Sequence, residues 1–164
     1  MNHRLRLPLV AVLVLLAAAG AGQAHCTDLA RGSELGPAEL HAGRNGGAAR
    51  IDQHGDANDA RLQQYGVRHS AAIVQTGDRH EADATQRGVG NHYTVVQSGT
   101  GHELILSQHG RDNTAQVLQG GVGNRAGVEQ LGNANQIQIQ QGPASPQLQV
   151  RQNGNGLAAT VIQY

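Results

Sequence analysis

Glutamine recurs every eleven residues, as Gln53, Gln64, Gln75, Gln86, Gln97, Gln108, Gln119, Gln130, Gln141, Gln152 and Gln163. Five residues after each of the first eight stands Asn or His: Asn58, His69, His80, Asn91, His102, Asn113, Asn124 and Asn135. A primary amide carries both donor and acceptor, so identical amides brought into a column can hydrogen-bond along it. Each such bond nets only about 0.5–1.5 kcal/mol, but a buried amide left unpaired costs about 1–3 kcal/mol. The chemistry these residues offer is therefore self-recognition. Three His in Asn positions could ligate a metal; the plainer reading is a planar polar substitute for Asn, with His80 and His102 sharing a column. Hydrolysis would need a carboxylate set on one face. Asp78, Glu81 and Asp83 form the densest acidic group, but no such cluster repeats. The Gly-Gly-x-Gly-x-Asp pattern of calcium-binding repeats and the Thr ladders of an ice-binding solenoid are missing too. No catalytic residue, metal ligand or cofactor is assigned, and the chain is not expected to be an enzyme.

What could hold these amides in register is written between them. Seven and nine residues after each Gln come apolar residues, as in Asn91-x-Tyr93-x-Val95-x-Gln97. Alternation with period two marks a strand with one face inward. Two residues after the first eight Gln comes glycine: Gly55, Gly66, Gly77, Gly88, Gly99, Gly110, Gly121 and Gly132. Segments such as Arg87-Gly88-Val89-Gly90 read as turns. A helix with an eleven-residue repeat is the rival, and it fails on the regular glycines and the period-two polarity. The expected fold is all-β: a β-solenoid, or cross-β stack, of about five 22-residue strand-turn-strand rungs built from 11-residue units. Residues 22 apart then lie above one another, roughly 4.8 Å away. One Gln column runs from Gln53 to Gln163 and the other from Gln64 to Gln152. Between them Ile51, Ile73, Val95, Val117, Ile139 and Val161 face Leu62, Ala84, Leu106, Val128 and Val150. At the ninth unit Pro143 and Pro146 replace Gly and Asn, which distorts that turn.

The composition agrees. Of 164 residues, 23 are Gly and only three are aromatic, all Tyr. That excludes an ordinary aromatic-filled core. Twelve Arg against twelve acids argue against an electrostatic nucleic-acid binder, and no nucleic-acid partner is required. Residues 1–24 read as a secretory signal peptide. Arg4 and Arg6 precede the apolar run Leu9 to Ala19, and Gly22-Gln23-Ala24 supplies small residues for cleavage. Cys26 follows the expected cut. A single thiol makes no internal disulfide; it is a stray thiol, an intermolecular bridge or a lipid attachment site, and His25 before it disfavours lipid. Residues 25–49 are Gly/Ala-rich and lack the register; residues 50–164 form the repeat core.

The unit Gln-x-Gly-x-x-Asn-x-Ala-x-x-x-Gln resembles the curlin repeat of bacterial curli, the amyloid fibres of biofilm matrix. Gln86-Arg87-Gly88-Val89-Gly90-Asn91 and Gln108-His109-Gly110-Arg111-Asp112-Asn113-Thr114-Ala115 carry the likeness most closely. Ala159-Thr160-Val161-Ile162-Gln163-Tyr164 resembles the close of the major subunit. The resemblance implies a secreted subunit of an extracellular fibre on the cell surface, serving biofilm and adhesion. It implies as partners the chain itself, the other curli subunit, an outer-membrane secretion pore and periplasmic accessory proteins. Residues 25–49 are similar to the family's flexible secretion-targeting segment. A minor, nucleating subunit is the alternative within the family, and a monomeric β-solenoid binding module the alternative outside it.

Overall fold

Alternating small apolar and polar residues, broken by paired turn positions, leave the backbone one economical solution. Each strand buries one face and turns back to bury the next. The computed structural model describes residues 11–17, 40–41, 46–143, 145 and 147–164. Among these there is no helix. The strands are β1 (Ala11–Ala17), β2 (Leu40–His41), β3 (Ala48–His54), β4 (Asp59–Val67), β5 (Ser70–Asp78), β6 (Glu81–Val89) and β7 (His92–Thr100). They continue as β8 (Glu103–Arg111), β9 (Thr114–Val122), β10 (Arg125–Asn133), β11 (Gln136–Gln141), β12 (Leu148–Asn153) and β13 (Ala158–Gln163).

Every strand from β3 to β11 pairs in parallel with the strand two places on, at an offset of 22 residues. The result is a β-solenoid of about five turns with two sheets. The even sheet runs β4-β6-β8-β10-β12 and the odd sheet β3-β5-β7-β9-β11-β13. β2 pairs antiparallel with β3, and β1 lies parallel to β4 at the low edge of the even sheet. The expected cleavage residues Gly22-Gln23-Ala24, Cys26 with His25, and Pro146 lie outside the described residues. The parallel pairing is already in place at the start of β3, where Ala49 is buried and paired with Ala71.

Between the sheets sit Leu62, Ala84, Leu106 and Val128 against Ile73, Val95, Val117 and Ile139, all buried. Tyr93 is the largest fully buried side chain. Its column neighbours are Ala71 and Ala115, so one bulky ring is housed by two small ones. The Tyr93 hydroxyl has no hydrogen-bond partner, and burial, then the charge of Asp83, push its pKa well above the usual phenol value. Removing an unpartnered buried hydroxyl removes its desolvation cost. Tyr93→Phe is therefore expected to leave stability unchanged or raise it by about 1 kcal/mol, read as the guanidinium midpoint; a loss would mean the hydroxyl is bonded.

Outside, the two sheets differ. The even sheet carries ion pairs along the stack: Arg61–Asp83 at 3.4 Å, Arg125–Glu103 at 3.1 Å and Arg151–Glu129 at 3.1 Å. These are exposed and contribute little energy. Apart from Asp78 at the end of β5, strands β5, β7, β9, β11 and β13 of the odd sheet contain no Asp, Glu or Arg.

The turn chemistry is richer than the glycine spacing alone conveys. Gly66, Gly77, Gly88, Gly99, Gly110, Gly121 and Gly132 lie inside the strands rather than between them, with φ between +100° and +124°. Each bends the chain while parallel pairing continues through it, as in Gly66↔Gly88↔Gly110. The reversal itself comes two residues later, at a second position of positive φ. Ala57, Arg68, Arg79, Gly90, Gly101, Asp112, Gly123, Ala134 and Gly156 occupy it, with φ between 54° and 71°.

Candidate functional site

The Gln side chains point inward beside the apolar columns, since they share the buried parity of each strand. All from Gln64 to Gln152 are at most 5 % exposed. In the odd sheet Nε2 of Gln53 donates to Oε1 of Gln75 at 2.6 Å. The series then runs Gln75 to Gln97, Gln97 to Gln119, Gln119 to Gln141 and Gln141 to Gln163, at 2.8–2.9 Å. In the even sheet Gln64 donates to Gln86, Gln86 to Gln108, Gln108 to Gln130 and Gln130 to Gln152, at 2.7–2.9 Å. The second amide hydrogen crosses to the other sheet, as from Gln108 to the carbonyl of His92 at 3.0 Å. Every ladder bond has the same sense, with N–H aimed toward the C-terminal rung. The first rung consequently keeps two buried acceptors without a donor, Oε1 of Gln53 and Oε1 of Gln64.

A second pair of ladders holds the turns. Nδ2 of Asn113 donates to the carbonyls of His109 and Gly132, while its Oδ1 accepts from the backbone N–H of Asn135. Asn58, Asn91, Asn124 and Asn135 repeat the arrangement. The Pro143 turn does not break it. Ser145 closes up by one residue, so that its N–H meets Asn124 Oδ1 at 2.9 Å.

Histidine performs the same task in a different ring. Nδ1 of His69, His80 and His102 accepts from the N–H of Asn91, His102 and Asn124, and Nε2 faces the carbonyls of Tyr65, Thr76 and Ser98. An N–H opposite Nδ1 and a carbonyl opposite Nε2 assign the neutral, Nε2-protonated tautomer. The His80 and His102 rings stack with centroids 4.9 Å apart. Burial holds the His80 pKa below its ordinary 6.5, reinforced by His102, against raising contributions from the Thr76 carbonyl, Asp78 and the Gly99 carbonyl. A lowered His pKa means the ordered state prefers the neutral ring. Its stability is full above about pH 6.5 and is lost as pH falls below that, toward the ordered-state value. Ordered rungs should form more slowly at pH 5 than at pH 7.5, and His80→Asn with His102→Asn should flatten the difference. Equal rates at both pH values in the parent chain would refute the role of the stack.

Asp78, Glu81 and Asp83 do not converge. Asp78 accepts from the Asp56 N–H, Asp83 meets Arg61, and Glu81 stands exposed between Asp59 and Glu103 in its row. Two features escaped the sequence reading. Gly154 (φ 148°) is a ninth corner glycine. The second positive-φ position left a trace only where it is glycine, at Gly90, Gly101, Gly123 and Gly156. At the C-terminal end both sheets finish in strands without a further partner, β12 and β13, and at the other end both Gln ladders begin with an acceptor that has no donor, an arrangement able to take up another rung of the same pattern. Neither the curated proteins nor the solved structures compared contain a match. A family model described as the curlin associated repeat matches residues 48–77, 55–88 and 110–142.

Proposed function

This chain is a curlin-repeat protein, and from that premise we propose that it is a structural subunit of a secreted, extracellular curli-type amyloid fibre. The observation that carries the reading is the pair of open Gln ladders, whose unpaired Oε1 acceptors on Gln53 and Gln64 ask for N–H donors from another rung. An unpaired parallel edge is a template for a strand of the same pattern. The self-assembly residues are the eleven ladder Gln and the five column Asn; the corner glycines shape the edge they present. The chain serves as the major, fibre-forming subunit in biofilm and adhesion, exported through an outer-membrane pore after loss of residues 1–24, with residues 25–49 as the targeting segment. A family of structural proteins gives no support to catalysis.

The test is to purify residues 25–164, follow thioflavin-T fluorescence with and without preformed seeds, and image the product. Fibres and a seed-shortened lag are expected. Soluble, unseedable monomer would remove the amyloid reading in favour of a binding module. Lag-free assembly that also seeds a slower paralogue would assign the nucleating role instead.

A further inference from the structure

For a subunit whose repeat strands are the described β3 to β13, the number of strands decides how one copy sits on the next. Strands β3 to β13 are eleven, and they alternate between the sheets, so the odd sheet has six and the even sheet five. Successive strands climb half a rung each. If a second copy docks with its β3 over β13, odd sheet on odd sheet, the even sheet is left with an empty strand position between β12 and the next β4. If the second copy is turned by half a revolution about the stack, its β3 sits on β12 and its β4 on β13. No position is then empty.

Resting on the fibre reading above, we infer that a subunit made of these eleven strands stacks on its neighbour with a half-turn, so that the even sheet of one copy continues as the odd sheet of the next. The ladders fit this arrangement. Gln152 and Gln163 become the donors to the neighbour's Gln53 and Gln64, satisfying both unpaired Oε1 acceptors at once. Gln152 Nε2 now donates to the carbonyls of Gln136 and Leu157; releasing the second is tolerated, because the Leu157 carbonyl keeps its bond from the Gln136 N–H. Without the half-turn, Gln163 reaches Gln53 but nothing reaches Gln64.

The outer rows fit as well. Aligning the neighbour's Gln53 with Gln152 places its Asp52 beside Arg151, which already pairs with Glu129. The row then alternates in sign along the stack: Glu129, Arg151, Asp52. In the same register the neighbour's Tyr65 lies beside Tyr164, and its Ile51 and Leu62 lie beside Val150 and Val161. The unturned register instead sets Asp52 beside Ile162. A third observation concerns the edge itself. The structure already seats a parallel strand below β4, where residues 11–16 face residues 59–64. In the turned stack that position belongs to β13 of the preceding copy.

Helical reconstruction from electron micrographs of fibres grown from residues 25–164 tests the inference. Eleven strands, two to each rung of about 4.8 Å, give an expected rise of about 26 Å per subunit with about half a turn of rotation. A rise of about 29 Å without rotation, the spacing of six rungs, would overturn the half-turn while leaving the fibre reading intact. Absence of fibres would remove both. Register is checked separately in a Cys26→Ser background. Tyr65→Cys combined with Tyr164→Cys should cross-link subunits within fibres on oxidation, and His54→Cys combined with Tyr164→Cys should not. The reverse result would also overturn the half-turn.

Discussion

Gly110→Ala is expected to destabilise the ordered rungs by about 3–5 kcal/mol and to suppress fibre growth at concentrations where the parent chain assembles. Two costs combine. Gly110 has φ +119°, where a residue with a Cβ is strained by about 1–3 kcal/mol. The added methyl would also land on the carbonyl oxygen of Gly132 in the next rung, which is backbone and has nowhere to go. The chain supplies its own graded controls. At Gly101 (φ +69°) no atom lies within 4 Å of a built Cβ, so Gly101→Ala should lose only the left-handed strain, about 1–2 kcal/mol. At Gly127 φ is not positive and the nearest atom is Gln149 Cγ at 3.6 Å, so Gly127→Ala should be neutral or stabilise by about 0.4–1 kcal/mol. Guanidinium midpoints of fibre dissolution should fall in the order Gly127→Ala, Gly101→Ala, Gly110→Ala. If Gly110→Ala behaved like Gly127→Ala, the close approach of successive corners would be wrong.

Gln108→Ala should approach the same size by a different route. Its side chain accepts from Gln86 at 2.9 Å and donates to Gln130 at 2.8 Å and to the His92 carbonyl at 3.0 Å. Truncation strands a donor hydrogen and two acceptors in a buried setting, at about 1–3 kcal/mol each before relaxation. A longer lag and a midpoint loss of about 3–5 kcal/mol are expected, while Arg61→Ala on the exposed row should change little. Gln108→Glu sharpens the test, because a carboxylate would face two acceptors, Gln130 Oε1 and the His92 carbonyl. Burial raises that carboxyl's pKa, so the ordered state prefers the protonated form. The protonated acid regains one O–H donor, so this variant should assemble better at pH 4 than at pH 7.5, opposite to the His80 effect. Equal behaviour of Gln108→Ala and Arg61→Ala would show that the amides do not form a load-carrying column.

The columns were legible because an eleven-residue period with a two-residue alternation allows one stacking. Once Gln53 and Gln75 share a column, Ile51 and Ile73 must share another. The parallel pairing at an offset of 22 follows from the same count. The second positive-φ position was not legible, because the constraint falls on the backbone and not on side-chain type. Ala57, Arg68, Arg79, Asp112 and Ala134 accept φ of 54° to 60° with no common chemistry among them. Glycine reads as turn punctuation, which puts the corner glycines between strands; they lie inside the strands because the next rung's carbonyl, not the turn alone, excludes a side chain. The equivalence of His and Asn rested on shape in the sequence. The atoms supply the reason: Nδ1 stands where Oδ1 would accept, and Nε2–H where an amide hydrogen would donate.

The common sense of the ladder bonds has a further consequence. Backbone amides alternate in direction along a parallel strand and largely cancel. The Gln amides do not alternate: all nine N–H groups point toward the C-terminal rung. Aligned amide dipoles add head to tail, as they do along a helix, leaving partial positive charge at one terminus and negative at the other. A stack of such rungs is an electric dipole along its long axis, with its positive pole at the Gln152 and Gln163 face. Rotation about that axis leaves the pole unchanged, so the polarity accumulates from subunit to subunit. Two such rods lying side by side attract when they run in opposite directions.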